Sequence, residues 1–391
     1  ETSRMTGYVK SGHRLKKPHQ TIGVQATGLF HDQTGLFGER DYRAQETQGF
    51  LNVLYDTQIA SAENKITFGA SMLYDHIEEQ YDSVGYSREE IVPGGFVEHT
   101  WKPSRQLTML TGMRGDFHNL YGVFLSPRWH TQYDFTDNNS LRVAAGRGYR
   151  VPTPFIENIG TLVSNRRVQL TDDIEPEVAW NMGGSFVQTA EWGSSWWQFT
   201  ADYYYTHYEN QLIVDRDGSQ DVLAFTMLNG ERSYAHSFQG GVEVKPVEWL
   251  TLKTTYKYRD IQQTIADELR LRPLTAQHIW HSVANIEREK WGLNLMLHYV
   301  GEQRLPTGPE VPETYGLPAM SPDYWLLNAH AKYKWRWFEF YAGVDNALNT
   351  QVDRPIRSSD DPTTPWFDAA YAWGPVIGIT PYAGVRISVG E

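Results

Sequence analysis

The chain has no cysteine among its 391 residues. Disulfides, thiolate metal sites and cysteine nucleophiles are thereby excluded. It has no apolar run of the roughly eighteen residues that a membrane-crossing helix needs. Helical period is weak throughout: no long stretch carries apolar residues at i, i+3, i+4 and i+7. Basic charge is scarce, with 35 Lys and Arg against 47 Asp and Glu and a formal net charge of −12. A nucleic-acid binder needs a cationic excess for phosphate, so no nucleic-acid partner is expected. The first residues, ETSRMTGYVKSGHR, lack both an initiator Met and the apolar centre of a signal peptide. They are read as the start of a processed protein or a fragment.

What is present is aromatic. Hydrophobic residues make up only 40 %, yet Phe, Trp and Tyr make up 14 %. They fall into runs of period two. In TLKTTYKYRD (251–260), Leu252, Thr254, Tyr256 and Tyr258 form one row, and Thr251, Lys253, Thr255, Lys257 and Arg259 form the other. Alternate residues of a strand share a face, so this strand has an apolar-aromatic face and a cationic face. WWQFTADYYYTHY (196–208), YWLLNAHAKYKW (324–335) and WFEFYAGVD (337–345) alternate in the same way. In 324–335, Ala329 and Ala331 share the apolar row with Trp325 and Leu327, while His330 and Lys332 lie opposite.

Connections alternate as well. Short ones fall at 102–106, 135–139, 191–195, 246–249, 288–290 and 334–336. Long ones fall at 77–89, 150–177, 207–233, 261–276, 301–322 and 347–378, with a tight LYG at 119–121 as the exception. About sixteen strands fit this layout, at the length a tilted membrane-crossing strand requires. The expected fold is therefore all-β: an antiparallel transmembrane β-barrel, one domain over residues 1–391, with the short turns on the periplasmic side. Residues 1–10 read as the tail of one further strand. In lipid a sheet must close on itself to satisfy its backbone. The apolar row then faces acyl chains, and Lys253, Lys257, Arg259, His330 and Lys332 face a wet lumen. A two-sheet soluble sandwich also alternates, but it explains less well the strand length, the small Ala329 and Ala331 and the asymmetric loops.

Several ordered motifs resemble those of TonB-dependent outer-membrane receptors. GRGYRVPTPFIEN (146–158) places Gly148, Arg150, Pro152, Glu157 and Asn158 where a strand of those receptors opens into a long loop. IEPEVAWNMGGSF (174–186) resembles the return of that loop, with Pro176, Glu177, Trp180 and Asn181 in order. VDNALNTQ (344–351) resembles the penultimate-strand ending. RGDFHNLYGVFLSPRWH (114–130) and FDAAYAWGPVIGITPYAGVRISV (367–389) resemble receptors of the Bacteroidota. The resemblance implies energised import of a scarce nutrient across the outer membrane of a Gram-negative bacterium: a siderophore, a corrinoid, haem or an oligomeric substrate. It also implies an N-terminal plug that contacts the TonB complex, and a barrel of about twenty-two strands. No plug resembles anything in this chain, which looks like the C-terminal part of such a barrel. The closing strand departs too: Ile387, Val389 and then Gly390-Glu391 stand where an aromatic end is usual.

Catalytic signatures are missing, with no Gly-x-Ser-x-Gly, Walker loop or His-Glu-x-x-His. No enzyme activity, cofactor or metal is expected. Of the in-strand histidines, His118, His130, His278, His281, His298 and His330, several fall on the luminal row; they suit metal or haem ligation but are read as polar lining, and His278 and His281, three apart, fall on opposite faces. Arg147, Arg150, Arg166 and Arg167 cluster about the loop 150–177. They suit an anionic ligand, although Arg150 equally suits a pin holding that loop to the rim. Trp366, Phe367, Tyr371 and Trp373 suit either a ligand-binding wall or a packed loop interior. Outer-membrane lipid is an expected partner, as are a surface lipoprotein or other envelope proteins. A passive porin, a structural subunit of an envelope complex and a soluble β-rich binding protein are the competing functions.

Overall fold

The computed structural model describes all residues except 18, 172, 307, 309–311, 313, 314 and 389–391. The strands are β1 (Thr2–Arg14), β2 (Thr21–Phe37), β3 (Arg40–Gln58), β4 (Asn64–Tyr81), β5 (Val84–Trp101), β6 (Leu107–His118), β7 (Gly122–Thr136) and β8 (Asn139–Arg150). Then come β9 (Arg167–Leu170), β10 (Glu177–Trp192), β11 (Ser195–Asn210), β12 (Leu212–Asp215), β13 (Val222–Met227), β14 (Ser233–Val247), β15 (Leu250–Ile265) and β16 (Glu268–Leu271). The last are β17 (His278–Glu287), β18 (Trp291–Val300), β19 (Tyr324–Trp335), β20 (Phe338–Asp345), β21 (Ile356–Arg357), β22 (Asp368–Ala372) and β23 (Thr380–Ile387).

Eighteen strands form one antiparallel barrel sheet. Seventeen follow one another as a meander, and β16 only extends the tip of β15. The expected sixteen are all present, and β1 is the further strand anticipated at the N-terminal end. Among the described residues, β1 pairs only with β2 and β23 only with β20. In a seventeen-strand meander the first and last strands run the same way. Closing such a sheet with antiparallel pairs takes an odd number of further strands.

One expectation is corrected. Residues 77–89 are not a long loop: β4 and β5 run on to a two-residue turn in which Asp82 has φ 51. The reason is physical. Beyond the apolar band both faces of a strand carry polar residues, so DHIEEQYDSVGYSREE loses its alternation without losing its pairing. Of the closing strand, Val389, Gly390 and Glu391 lie outside the described residues.

Register confirms the two faces. Leu252, Tyr256, Trp280 and Trp325 are all exposed large side chains, and Tyr256, Trp280, Tyr299 and Trp325 lie opposite one another across β15, β17, β18 and β19. Lys253, one residue along, pairs with Glu243 at 3.4 Å on the other face. The wall is one sheet thick and buries little. Buried apolar clusters sit at the loop end instead, in three groups around Phe155, Tyr371 and Ile213.

Candidate functional site

The motif that opens the first long loop builds a staple. Arg150, the last residue of β8, reaches Glu177 Oε2 at 2.6 Å and Glu157 Oε2 at 2.7 Å. It thus ties the strand end to both halves of the loop between β8 and β10. The loop does not stay over its own strands. Phe155 and Leu162 pack against Tyr42 and Tyr81 at the tips of β3 and β4. Glu79, on β4, accepts the N–H groups of Phe155 at 3.2 Å and Ile156 at 2.8 Å, and the hydroxyl of Tyr42 at 3.0 Å. It therefore caps the 3-10 helix Ile156–Thr161. Burial holds its carboxyl above the usual carboxylate range despite those donors. Arg88 donates to the Pro152 carbonyl at 2.9 Å and reaches Glu90 at 2.9 Å, and His118 also meets Glu90 at 3.0 Å.

Three more loops join the first. β9 pairs parallel with β13, and β12 pairs antiparallel with β13, which makes a small sheet from two loops. Arg166 then holds Asp368 of the last long loop at 3.1 Å, with both side chains almost wholly buried. Its other donors meet the carbonyls of Arg216 and Ser219, and it lies 4.7 Å from the ring centre of Tyr371. Tyr371 donates its hydroxyl to the Arg216 carbonyl at 2.6 Å. Arg304 grips Asp217 with two nitrogens, at 3.0 and 2.8 Å. Arg40, at the start of β3, donates to the Arg166 carbonyl at 2.6 Å. The loops therefore form one cap with its own interior.

The cap decides several of the candidate residues. Arg166, Tyr371 and Trp373 are buried fasteners in this conformation and offer no surface to a ligand. Trp373 packs with Leu305 and Val352. Trp366 and Phe367 are half-buried, with Trp366 stacked on Tyr315 at 6.4 Å. Arg167 is exposed. Arg147 points away from the loop, to the outward face. There it meets Glu209 at 2.7 Å, and Trp180 donates to the same carboxylate at 2.9 Å. Arg357 and Arg216 were not singled out in the sequence. Burial lowers both guanidinium pKa values to about 10, with Arg166 adding to the effect at Arg357 and Arg272 at Arg216. The described ion pairs include neither. Two guanidiniums of the cap thus lie outside the described ion pairs, near Asp368.

The inner wall is charged along its length. Lys332 meets Glu287 at 2.8 Å, and Arg386 meets Glu339 at 2.8 Å. His330, beside them, shares a hydrogen bond with the Tyr382 hydroxyl at 3.2 Å. Lys257 lies opposite Gln239 and Ile279. Arg259 donates to the Ala276 carbonyl at 3.0 Å. His281 and His298 face each other with ring centres 5.8 Å apart. Among the described residues no group of three or more His, Asp or Glu side chains is placed to hold a metal ion.

The buried charges Glu79, Asp368, Asp217 and Arg357 escaped sequence reasoning. Asp368 lies 202 residues from Arg166, and no local pattern couples them. Glu79 falls in residues 77–89, which the sequence reads as a long connection.

Comparisons with known proteins agree on the architecture. A family model described as "TonB dependent receptor-like, beta-barrel" matches residues 5–347. No curated protein matches in a sequence comparison. Among solved structures, the siderophore receptor PirA from Pseudomonas aeruginosa is similar at 13% identity with a TM-score of 0.59, over 90% of this chain and 68% of that one. A structure titled "Copper transporter OprC" is similar at 13% identity and TM-score 0.69, over 99% of this chain and 65% of that one. The FrpB iron transporter from Neisseria meningitidis is similar at 13% identity and TM-score 0.66, over 98% and 62% respectively. At such identity the likeness shows the fold. The chain spans about two thirds of the length of these structures.

Proposed function

The chain belongs to the TonB-dependent receptor-like β-barrel family, and on that premise we propose that it is the barrel part of an outer-membrane importer of a scarce nutrient. The observation that carries the reading is the cap. Loops from four connections cross the barrel mouth and share one buried interior, fastened by Arg166–Asp368 and Arg304–Asp217. A passive pore has no use for a packed cover. A gated importer does, because ligand must be captured before passage.

On this reading the loop end is extracellular and the short turns are periplasmic. Glu287, Lys332, Glu339 and Arg386 on the inner wall face a plug supplied from outside residues 1–391, through which the TonB complex acts. Arg216 and Arg357, outside the described ion pairs, are guanidiniums that an opened cap could turn to an anionic cargo such as a ferric siderophore. Surface lipoproteins or other envelope proteins are candidate partners at the loop face. The motifs of residues 114–130 and 367–389 support an origin in the Bacteroidota.

The test is uptake by a strain lacking this barrel, measured with labelled ferric siderophores, corrinoids, haem and oligosaccharides, with and without a protonophore. Loss of one energy-dependent uptake is the expected result. A large steady conductance of the purified protein in a planar bilayer, with no energised uptake lost, would instead identify a porin. Unchanged uptake together with stable co-purification of envelope proteins would identify a structural subunit.

A further inference from the structure

The outward face carries a trough that the import reading does not use. It runs along β17, where the outward residues shrink to Ser282 and Ala284 between Val244 and Leu252 on one side and Leu295 and Leu297 on the other. Its volume is ≈ 390 Å³. Trp280 closes the loop end of the trough, donating its indole N–H to Thr254 Oγ1 at 2.7 Å and Ser282 Oγ at 3.0 Å. Those two hydroxyls are themselves 2.8 Å apart. The three polar groups satisfy one another, so the floor is both small and dry, as a surface facing hydrocarbon must be.

Toward the short turns the outward row of β17 continues from Ala284 through Ile286 to Arg288. There Arg288 lies over the Trp249 ring at 4.3 Å, and Arg336, two strands along, lies over Trp335 at 5.6 Å. Both arginines are exposed, and the described ion pairs include neither. A guanidinium over a tryptophan ring, with no carboxylate among the described ion pairs, keeps N–H donors for an anion. Ala284 is four residues above Arg288, roughly 13 Å along the strand at about 3.3 Å per residue. A strand tilted by about 40° turns that length into roughly 10 Å of depth, somewhat short of half an apolar band about 25 Å tall. The trough therefore lies at the depth reached by the middle of an acyl chain whose phosphate sits at Arg288.

We propose that this trough is a binding site for an anionic phospholipid of the periplasmic leaflet, its acyl chain over Ser282 and Ala284 and its phosphate at Arg288 and Arg336. The assignment of leaflet rests on the membrane orientation given above. The site is on the outside of strands β14 to β19, away from the unpaired edges of β1 and β23.

The experiment is native mass spectrometry of the full chain, purified from outer membranes and mixed with phosphatidylglycerol or phosphatidylethanolamine of the same acyl length. The wild type should retain one phosphatidylglycerol in preference by about thirtyfold, the size expected of two cations beside an anionic headgroup. Ala284→Phe fills the trough and should abolish retention, and Ser282→Leu should weaken it. Ala201→Phe, outward on β11, should change nothing. Arg288→Ala with Arg336→Ala should reduce the headgroup preference to parity. Heat-modifiable migration on gels shows whether each variant has folded. Retention by a folded Ala284→Phe protein equal to wild type overturns the site. Loss in Ala284→Phe with no effect of the arginine changes overturns the leaflet assignment in favour of a lipid from the outer leaflet. A dimer dissociated by Ala284→Phe shows a second copy in the trough and also overturns the proposal. Absence of the wild type from the outer-membrane fraction would overturn the membrane orientation itself, an outcome distinct from all of these.

Discussion

Arg166 and Asp368 are 202 residues apart in sequence and 3.1 Å apart in space, and neither side chain reaches solvent. The pair joins the first long loop to the last, with Ser164 also donating to Asp368 at 2.8 Å. Burial lowers the pKa of Arg166 from its ordinary value, with Asp368 opposing the shift. Breaking such a pair leaves a charge stranded, at a cost of about 3–5 kcal/mol, whereas replacing both partners with apolar residues is often neutral. Asp368→Ala is expected to open the cap and raise proteolysis of residues 150–177 and 347–378 while the strands stay protected. The double change Arg166→Met with Asp368→Leu should restore much of the protection. Equal opening in the single and double variants would show that the pair does not fasten the cap.

Arg150 offers the contrast. It contacts two carboxylates at 2.6 and 2.7 Å, but its side chain is 57% exposed. Solvent screens such pairs to about 0–1 kcal/mol each. Arg150→Ala should therefore loosen residues 151–176 only slightly in hydrogen exchange, well below the effect of Asp368→Ala. A larger effect at Arg150 would mean that the staple, rather than the buried pair, carries the cap.

How much of this was legible follows the same division. The meander was readable because lipid on one side and water on the other impose period two on every strand, as with Leu252 against Lys253. Where that contrast ends, the pattern ends: residues 77–89 are paired strand, yet they read as loop. The cap was legible only as a list of arginines and aromatics. Tyr371 suited a ligand wall and a packed interior equally well. Its burial depends on Arg166 and Arg216, more than 150 residues away, which no spacing reveals.

Glu79 is expected to make the cap sensitive to pH. Its carboxyl is raised above the usual value, chiefly by burial. A raised acid stabilises the folded arrangement fully below the ordinary carboxylate pKa of about 4.3, and that contribution is lost as pH rises through the shifted value. Exchange at the Ile156 amide, corrected for intrinsic rates, should therefore accelerate as pH rises from 4 toward neutrality. Glu79→Gln keeps an accepting oxygen but cannot ionise, so its corrected profile should be flat. Parallel slopes in the two proteins would remove Glu79 from the explanation.

Backbone approach sets a further limit. Between β10 and β11 a Cβ added at Gly183 would meet the Tyr203 carbonyl and the Cα of Tyr204. Backbone cannot step aside as a flexible side chain can. Gly183→Ala should therefore impair pairing of these two strands, seen as reduced heat-modifiable barrel on gels. Gly148→Ala, with open space near the loop end of the neighbouring β8, should assemble normally.

The two faces of β15 give the sharpest test of the membrane reading, because one strand carries both. Leu252 is exposed on the outward face, between Val244 and Ala284. Thr255, three residues on, lies on the inner face beside His281. An arginine at Leu252 would face hydrocarbon and cost about 2–4 kcal/mol near the midplane, whereas one at Thr255 would face the lumen at little cost. Leu252→Arg should lower the folding free energy measured by denaturant titration in lipid vesicles, and Thr255→Arg should leave it within error of wild type. In a water-soluble fold the order reverses, since an arginine on an outward, hydrated face would be harmless and one on the enclosed face would not.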